Sequence, residues 1–276
     1  MQLGVQVSLR RETDPAAAFA AARAAGFVRG QVTFHQHGIS PERVRQTAVA
    51  AREAGFHVEA IGCYFNPLRP DDAEIAEANI ADWKTVAANM GLMNGAERIV
   101  CWSGTLGKTL ATPNLLNGEE QTFNNLYIAL SGMLEQTRGL PLEIVLEPYT
   151  AHVLHDAKSC ARFCAQFPGG EVKVVLDAPN LLSQTDYSHR AERIQTMIPE
   201  IAPATGLVHL KDIGLNDQGH RVFVRAGAGT LDYKLYLRAI VERIPEVPVI
   251  LESVTNVDEM IAARTFVEGI LQDLGL

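Results

Sequence analysis

Short apolar runs alternate along this chain with longer stretches of helical periodicity. The runs cover residues 3–8, 27–34, 56–64, 97–102, 142–146, 172–176, 207–210 and 249–251. They are largely unbroken, the pattern of strands buried on both faces of a parallel sheet. Helix start and stop signals lie between them. Asp14-Pro15 and Ser40-Pro41 each place a capping side chain before a Pro at the first helical position, and Gly26 and Gly55 stop the helices that follow. Ala21-Ala22-Arg23-Ala24-Ala25-Gly26-Phe27 and Ala50-Ala51-Arg52-Glu53-Ala54-Gly55-Phe56 are nearly the same heptapeptide, 29 residues apart. That spacing is the length of one strand-plus-helix unit. Further helices are expected at 71–91, with Ile75, Ile80, Trp83 and Val86 as its apolar stripe, at 119–138, and after the fifth strand to about Phe167. Others run to about Ile201, from the cap Asp232 to Ile244, and from the cap Asn256 to the end. Residues 103–118, 178–188 and the Gly-rich 213–230 read as loops. Eight strand–helix units with no spare strand predict an α/β fold, a single (β/α)8 TIM barrel spanning 1–276 as one domain. An open doubly wound sheet would carry a Gly-rich turn after its first strand, and Ser8-Leu9-Arg10-Arg11 is not one.

Composition narrows the partners. The chain has 276 residues, 47% hydrophobic and 20% charged, enough for a large core. A net charge of −8 argues against nucleic acid or a polybasic contact with a membrane surface. No stretch approaches the ~20 apolar residues of a membrane span. Met1-Gln2-Leu3-Gly4-Val5 enters an apolar run with no basic leader, which points to a cytoplasmic protein. Cys160 and Cys164 fall on one helix face and read, with Cys63 and Cys101, as reduced core residues. The sequence leaves homo-oligomerisation open.

Candidate chemistry concentrates at the ends of the last four strands, which finish in Glu147, Asp177, His209 and Glu252. Each alone suits a helix cap or a salt bridge. Four at matching strand ends, on the rim where such barrels build their sites, suit a divalent cation. Three hard oxygen donors and one imidazole favour Mn, Mg or Co over structural Zn. Lys211 shares a strand face with His209 and would bind an oxyanion or act as an acid, unless it simply pairs with Asp212. Asn180 suits either a substrate hydroxyl or the turn after Pro179. Tyr64, Phe65 and Trp102 would wall a sugar ring or cover the core. His35 and His37, at the end of the second strand, read as loop histidines of the same rim. Gly227-x-Gly229 reads as a tight backbone approach beside the site and not as a dinucleotide fingerprint.

These residues also carry a family resemblance. Tyr64-Phe65-Asn66-Pro67 with Pro70-Asp71, Ser103-Gly104-Thr105, Leu146-Glu147-Pro148 and Leu176-Asp177-Ala178-Pro179-Asn180 run in order along the chain. Val208-His209-Leu210-Lys211-Asp212, Ala226-Gly227-Ala228-Gly229-Thr230-Leu231-Asp232 and Leu251-Glu252-Ser253 complete the series. Together they resemble the xylose isomerase-like TIM barrels of the sugar phosphate isomerase/epimerase type. The resemblance implies that Glu147, Asp177, His209 and Glu252 hold one divalent ion (Mn, Co, Mg or Zn). It also implies that Glu147 and Glu252 are the acid/base pair acting on a small sugar or keto-polyol. Lys211, Asn180, Trp102 and Tyr64 are the expected substrate contacts. The chain departs from ketose 3-epimerases of the family, which carry His and Arg where Asn180 and Leu215 stand. His209-x-Lys211-Asp212 is similar to the run in inosose dehydratases. The apurinic endonucleases of the family want His where Tyr64, Trp102 and Asn180 stand, so a DNA-repair role is not expected. The expected reaction is isomerisation or epimerisation through proton abstraction beside a carbonyl, with the enediolate charge stabilised by the ion. The alternatives are dehydration of an inosose-like keto-polyol and a non-catalytic carbohydrate-binding barrel.

Overall fold

In a computed structural model of the chain, the apolar runs form β1 (Leu3–Leu9), β2 (Arg29–Phe34), β3 (His57–Cys63), β4 (Arg98–Trp102), β5 (Glu143–Glu147), β6 (Val172–Leu176) and β7 (Thr205–Leu210). A short pair, β8 (Asp212–Leu215) and β9 (Arg221–Val224), precedes the last of them, β10 (Val249–Leu251). The structure describes residues 1–68 and 73–276, without the side chains of 73–79. Pro70, Asp71 and the side chain of Ile75 therefore lie outside the described residues, as does the expected helix start at Asp71. Eight strands close a parallel barrel in the order β1-β10-β7-β6-β5-β4-β3-β2. Around it lie α1 (Pro15–Ala24), α2 (Pro41–Glu53), α3 (Ala73–Asn89), α4 (Glu120–Gln136), α5 (Ala157–Cys164), α6 (Ala178–Leu181), α7 (Arg190–Ile201), α8 (Tyr233–Arg243) and α9 (Val257–Asp273). None of the described helices is long and apolar enough to cross a membrane.

The heptapeptide repeat has a simple origin. Asp14 accepts the Ala16 N–H at 3.1 Å and Ser40 the Arg43 N–H at 3.1 Å, each with Pro opening the helix behind it. At the other end Gly26 and Gly55 take φ of 85° and 60°, a left-handed turn that side chains resist. Each turn delivers a buried Phe, Phe27 or Phe56, into the layer between strands and helices.

The barrel interior has its own apolar layer: Ala60, Val100, Val145, Val175, Leu207 and Ile250, all fully buried. Side chains alternate along a strand, so the residue two further on points the same way. Two beyond Val145, Val175, Leu207 and Ile250 stand Glu147, Asp177, His209 and Glu252. The layer is therefore the floor under those four.

All three stretches read as loops contain structure, the first a 3-10 turn over Leu115–Gly118. Residues 178–181 form the single-turn α6. Within 213–230, β8 and β9 make an antiparallel hairpin, with Asp212 opposite Val224 and Leu215 opposite Arg221. Its root is fixed by one buried carboxylate. Asp212 Oδ1 accepts from the N–H groups of Ile213 at 2.8 Å and Leu231 at 3.0 Å; Oδ2 accepts from Gly227 at 3.3 Å and Gly229 at 3.2 Å. A Cβ on Gly229 would sit 2.3 Å from Asp212 Oδ1, and Gly227 takes φ +78°. The Gly-x-Gly run is thus a cradle for Asp212.

Candidate metal centre at the barrel mouth

Glu147, Asp177, His209 and Glu252 meet at the C-terminal end of the barrel, all buried, with one potential ligand atom of each within 4.8 Å of the others. His209 Nδ1 lies 3.5 Å from Glu147 Oε2, 3.9 Å from Asp177 Oδ2 and 3.3 Å from Glu252 Oε1. Nδ1 is fully buried and has no hydrogen-bond partner among the described residues. Buried polar atoms are rarely left so. An unpartnered imidazole nitrogen facing three carboxylates is a donor set for a divalent cation, so the residues fit the ion that the resemblance implies. The cap role of Asp177 is also real: Oδ1 accepts the Asn180 N–H at 3.2 Å, opening α6, which leaves Oδ2 to face the cluster.

Lys211 does not pair with Asp212. Its buried ammonium lies 2.6 Å from Asp177 Oδ2 and 3.0 Å from Glu252 Oε2, inside the mouth. Burial alone would lower its pKa, but the surrounding Asp177, Glu252 and Glu147 carboxylates outweigh that and hold it charged. The two Glu are set apart by their surroundings. Burial, with Glu252 opposite, pushes the Glu147 carboxyl up to about 7. Burial pushes Glu252 up too, but the facing His209 ring, the Lys211 charge and the Lys211 hydrogen bond reverse this, to about 2. Asp177 rises to about 6, mainly by burial. Burial holds His209 below its usual value.

The expected substrate contacts divide. Half-buried Tyr64 donates its hydroxyl to Glu147 Oε2 at 2.6 Å and stacks on half-buried Trp102, ring centroids 4.8 Å apart. Asn180 is buried and its amide donates to Glu147 Oε1 at 2.8 Å. Both therefore hold Glu147 directly. Phe65 turns away, packing edge-on to Trp83 in the core. His35 sits at the rim with Nε2 3.2 Å from Ser8 Oγ, whereas His37 turns outward to Asp82 at 3.7 Å. Leu215 is exposed on the hairpin.

Three features of the mouth carried no motif. Gln6 donates its amide to Glu252 Oε1 at 2.8 Å. Gln31, fully buried, lies with Oε1 3.0 Å from His209 Nε2 and donates from Nε2 to Tyr64 OH at 3.2 Å and Thr33 Oγ1 at 3.0 Å. The signal for both was a polar residue in mid-strand of a parallel sheet, where water does not reach. The hairpin supplies Phe223, whose ring lies 4.8 Å under the Lys211 ammonium, and Arg221, which donates to Pro179 O at 2.9 Å. An apolar groove lined by Phe65, Leu68, Trp83, Ile128 and Met133 opens between α3 and α4 instead, and no titratable side chain among the described residues lines it.

Among solved structures the fold is similar to L-ribulose 3-epimerase, with a TM-score of 0.73 at 15% identity over 100% of this chain and 97% of that one. It is similar to 3-keto-D-glucoside 4-epimerase from E. coli, TM-score 0.68 at 14% identity over 99% of each chain. A third is a xylose isomerase-like TIM barrel protein from Mycobacterium smegmatis in complex with magnesium, TM-score 0.69 at 14% identity over 94% of this chain and 88% of that one. At such identities the likeness is one of fold. No curated protein sequence matches the chain. The family model for the xylose isomerase-like TIM barrel matches residues 19–268, which take in seven of the eight barrel strands, and the chain belongs to that family.

Proposed function

We propose that this protein is a divalent-metal-dependent epimerase or isomerase of a small sugar or keto-polyol, acting by proton transfer beside a carbonyl. The observation that carries it is the unpartnered His209 Nδ1 with carboxylate oxygens of Glu147, Asp177 and Glu252 at 3.3–3.9 Å. These four residues would hold the ion, which when bound would stabilise negative charge on the substrate oxygens. The remaining work belongs to the side chains. Glu147 at the end of β5 and Glu252 just past β10 are three strands apart around the ring, so they reach the mouth from different sides. Their surroundings push their pKa values apart, the usual mark of an acid/base division of labour. Glu252, kept ionised beside Lys211, is the group to take a proton; Glu147, steadied by Tyr64 and Asn180, is the group to hold or return one. The Tyr64–Trp102 pair and Phe223 offer apolar surface to the carbon face of a sugar. The sugar epimerases among the structural neighbours support this substrate class.

One observation favours a second reading. A buried ammonium beside Glu252 is placed to protonate a leaving hydroxyl, which would make the reaction a dehydration of an inosose-like keto-polyol.

The test is solvent exchange. Recovered ketoses, keto-glycosides and inososes incubated with Mn²⁺-loaded protein in heavy water should carry deuterium at the carbon beside the carbonyl. Glu147→Gln and Glu252→Gln should each lower turnover at least ~100-fold, the lower range for a lost acid or base. An epimerase with one base per face should let one variant exchange deuterium without forming product. No exchange with any member of the panel would leave a non-catalytic carbohydrate-binding barrel. Near-parental turnover in both variants would end the two-carboxylate mechanism.

A further inference from the structure

We infer that Gln31 is a positioning residue that fixes the tautomer of His209, through a chain of hydrogen bonds that begins at Glu147 on the far side of the mouth. The inference rests on the metal-site reading above, because it concerns which nitrogen of His209 is free for a cation.

The hydrogen-bond directions follow one from another. Glu147 accepts on both oxygens, from the Asn180 amide on Oε1 at 2.8 Å and from the Tyr64 hydroxyl on Oε2 at 2.6 Å, so the hydroxyl is the donor. Having given its hydrogen to Glu147, the hydroxyl meets Gln31 as an acceptor, and the group 3.2 Å away is the Gln31 amide nitrogen. That choice turns the amide oxygen toward His209, where it lies 3.0 Å from Nε2. A carbonyl oxygen carries no hydrogen, so Nε2 carries it and Nδ1 keeps its lone pair. The remaining amide hydrogen points to Thr33 Oγ1 at 3.0 Å, a hydroxyl that accepts or donates as required. Only Tyr64 therefore sets the direction.

The tautomer so chosen is the one that the neighbouring charges oppose. Carboxylate oxygens of Glu147, Asp177 and Glu252 lie 3.3–3.9 Å from Nδ1, and they would draw a hydrogen there. A hydrogen on Nδ1 would point into the cluster and block a cation. Gln31 holds it on the other nitrogen. The partner that orients a metal-binding His is more often a carboxylate or backbone carbonyl. A neutral amide does this here without adding a further negative charge to a mouth that already holds three.

The experiment uses metal-free protein labelled with ¹⁵N-histidine, above neutral pH, and reads the ring pattern of His209 by long-range ¹H–¹⁵N correlation. The parent should show hydrogen on Nε2. Gln31→Met, similar in length and unable to accept strongly, should move it toward Nδ1 and weaken Co²⁺ binding by ~10–100-fold, the usual loss for such a partner. Tyr64→Phe does not touch His209, yet it releases the Gln31 amide to turn over and should shift the same ring signals in the same direction. Tyr64→Phe also frees Glu147 Oε2, 3.5 Å from Nδ1, so it is paired with Gln31→Glu, whose carboxylate presents an acceptor either way round; the double variant should return the hydrogen to Nε2 if the effect runs through Gln31, and this pair decides the matter if Gln31→Met fails to fold. If Gln31→Met and Tyr64→Phe both keep hydrogen on Nε2 and bind Co²⁺ as the parent does, the inference is overturned. A parent that takes up no Co²⁺ would overturn the metal reading alone, since the tautomer is read without metal.

Discussion

Cation binding should release protons, and the number released should change over a narrow pH range. In the metal-free protein, burial raises Glu147 from 4.5 to about 7 and Asp177 from 3.8 to about 6, while Glu252 stays near 2. The sign follows from these directions. Folded Glu147 and Asp177 hold protons that the unfolded chain has already lost, so metal-free stability is greatest below about pH 4 to 5 from these groups and falls as pH rises through about 7. At about 1.4 kcal/mol per pKa unit, ionising either group in the folded protein costs roughly 3 kcal/mol. That is a large part of a typical stability of about 5–15 kcal/mol. A cation needs both carboxylates ionised. Its apparent affinity should therefore climb with two protons released per ion below about pH 6, one between about 6 and 7, and none above. Glu252 adds nothing in this range, and burial moves His209 downward, away from the step at about pH 7. Calorimetric titration of EDTA-stripped protein with Mn²⁺ in two buffers of different ionisation enthalpy counts the protons. Thermal melts supply the second measure. Ion at about 100 times its Kd adds about 2.7 kcal/mol, and so roughly 5–11 °C, at alkaline pH, with less in mild acid. An affinity that stays flat from about pH 5 to 8 would refute the reasoning.

Three further outcomes are expected. Asp177→Asn should weaken cation binding while keeping the α6 cap through Oδ1, so at about pH 5, where Asp177 already holds its proton, its melting temperature without metal should stay near the parent's; parental affinity would remove Asp177 from the ligand set. Asp212→Ala leaves four backbone N–H groups without their acceptor and should cost roughly 3 kcal/mol, seen as a drop of about 6–12 °C in melting temperature. Phe223→Ala removes a ring from over the mouth and should raise KM several-fold with kcat little changed; an unchanged KM would place that ring outside the substrate path.

Most of the barrel was legible because one rule governs it. A strand buried on both faces must be apolar along its length, and its polar end residue must stand at the rim. Glu147, Asp177, His209 and Glu252 could be picked out for the same reason. What escaped was decided across strands. Gln6 and Gln31 look like flaws in apolar runs until closure of the barrel turns them toward Glu252 and His209. Lys211 was equally compatible with Asp212 beside it, and only the geometry of β6 and β10 brings Asp177 and Glu252 to its ammonium. Asn180 suits a substrate hydroxyl or the turn after Pro179, and only closure brings the Glu147 carboxylate within reach of its amide. The hairpin did leave a trace. Ile213, Leu215, Val222 and Val224 are apolar on either side of Asn216-Asp217-Gln218-Gly219, but Gly214 and the turn residues made the stretch look irregular.

The anchoring of the hairpin decides which end of it can give. Lys211 and Asp212 are consecutive residues, one in the ion cluster and the other pinned by four backbone hydrogens, so the root cannot lift without dragging β7 and His209 with it. The far end is tethered differently. There the exposed Gln184 side chain donates to Gly219 O at 3.2 Å and accepts the Arg221 N–H at 3.0 Å. These surface bonds, with that of Arg221 to Pro179 O, break more cheaply than a buried hub of four. The tip, residues 216–221, is thus the part of the hairpin that can move at small cost, while residues 209–212 stay fixed. Loss of the Gln184 side chain would loosen the tip and leave the root as it is.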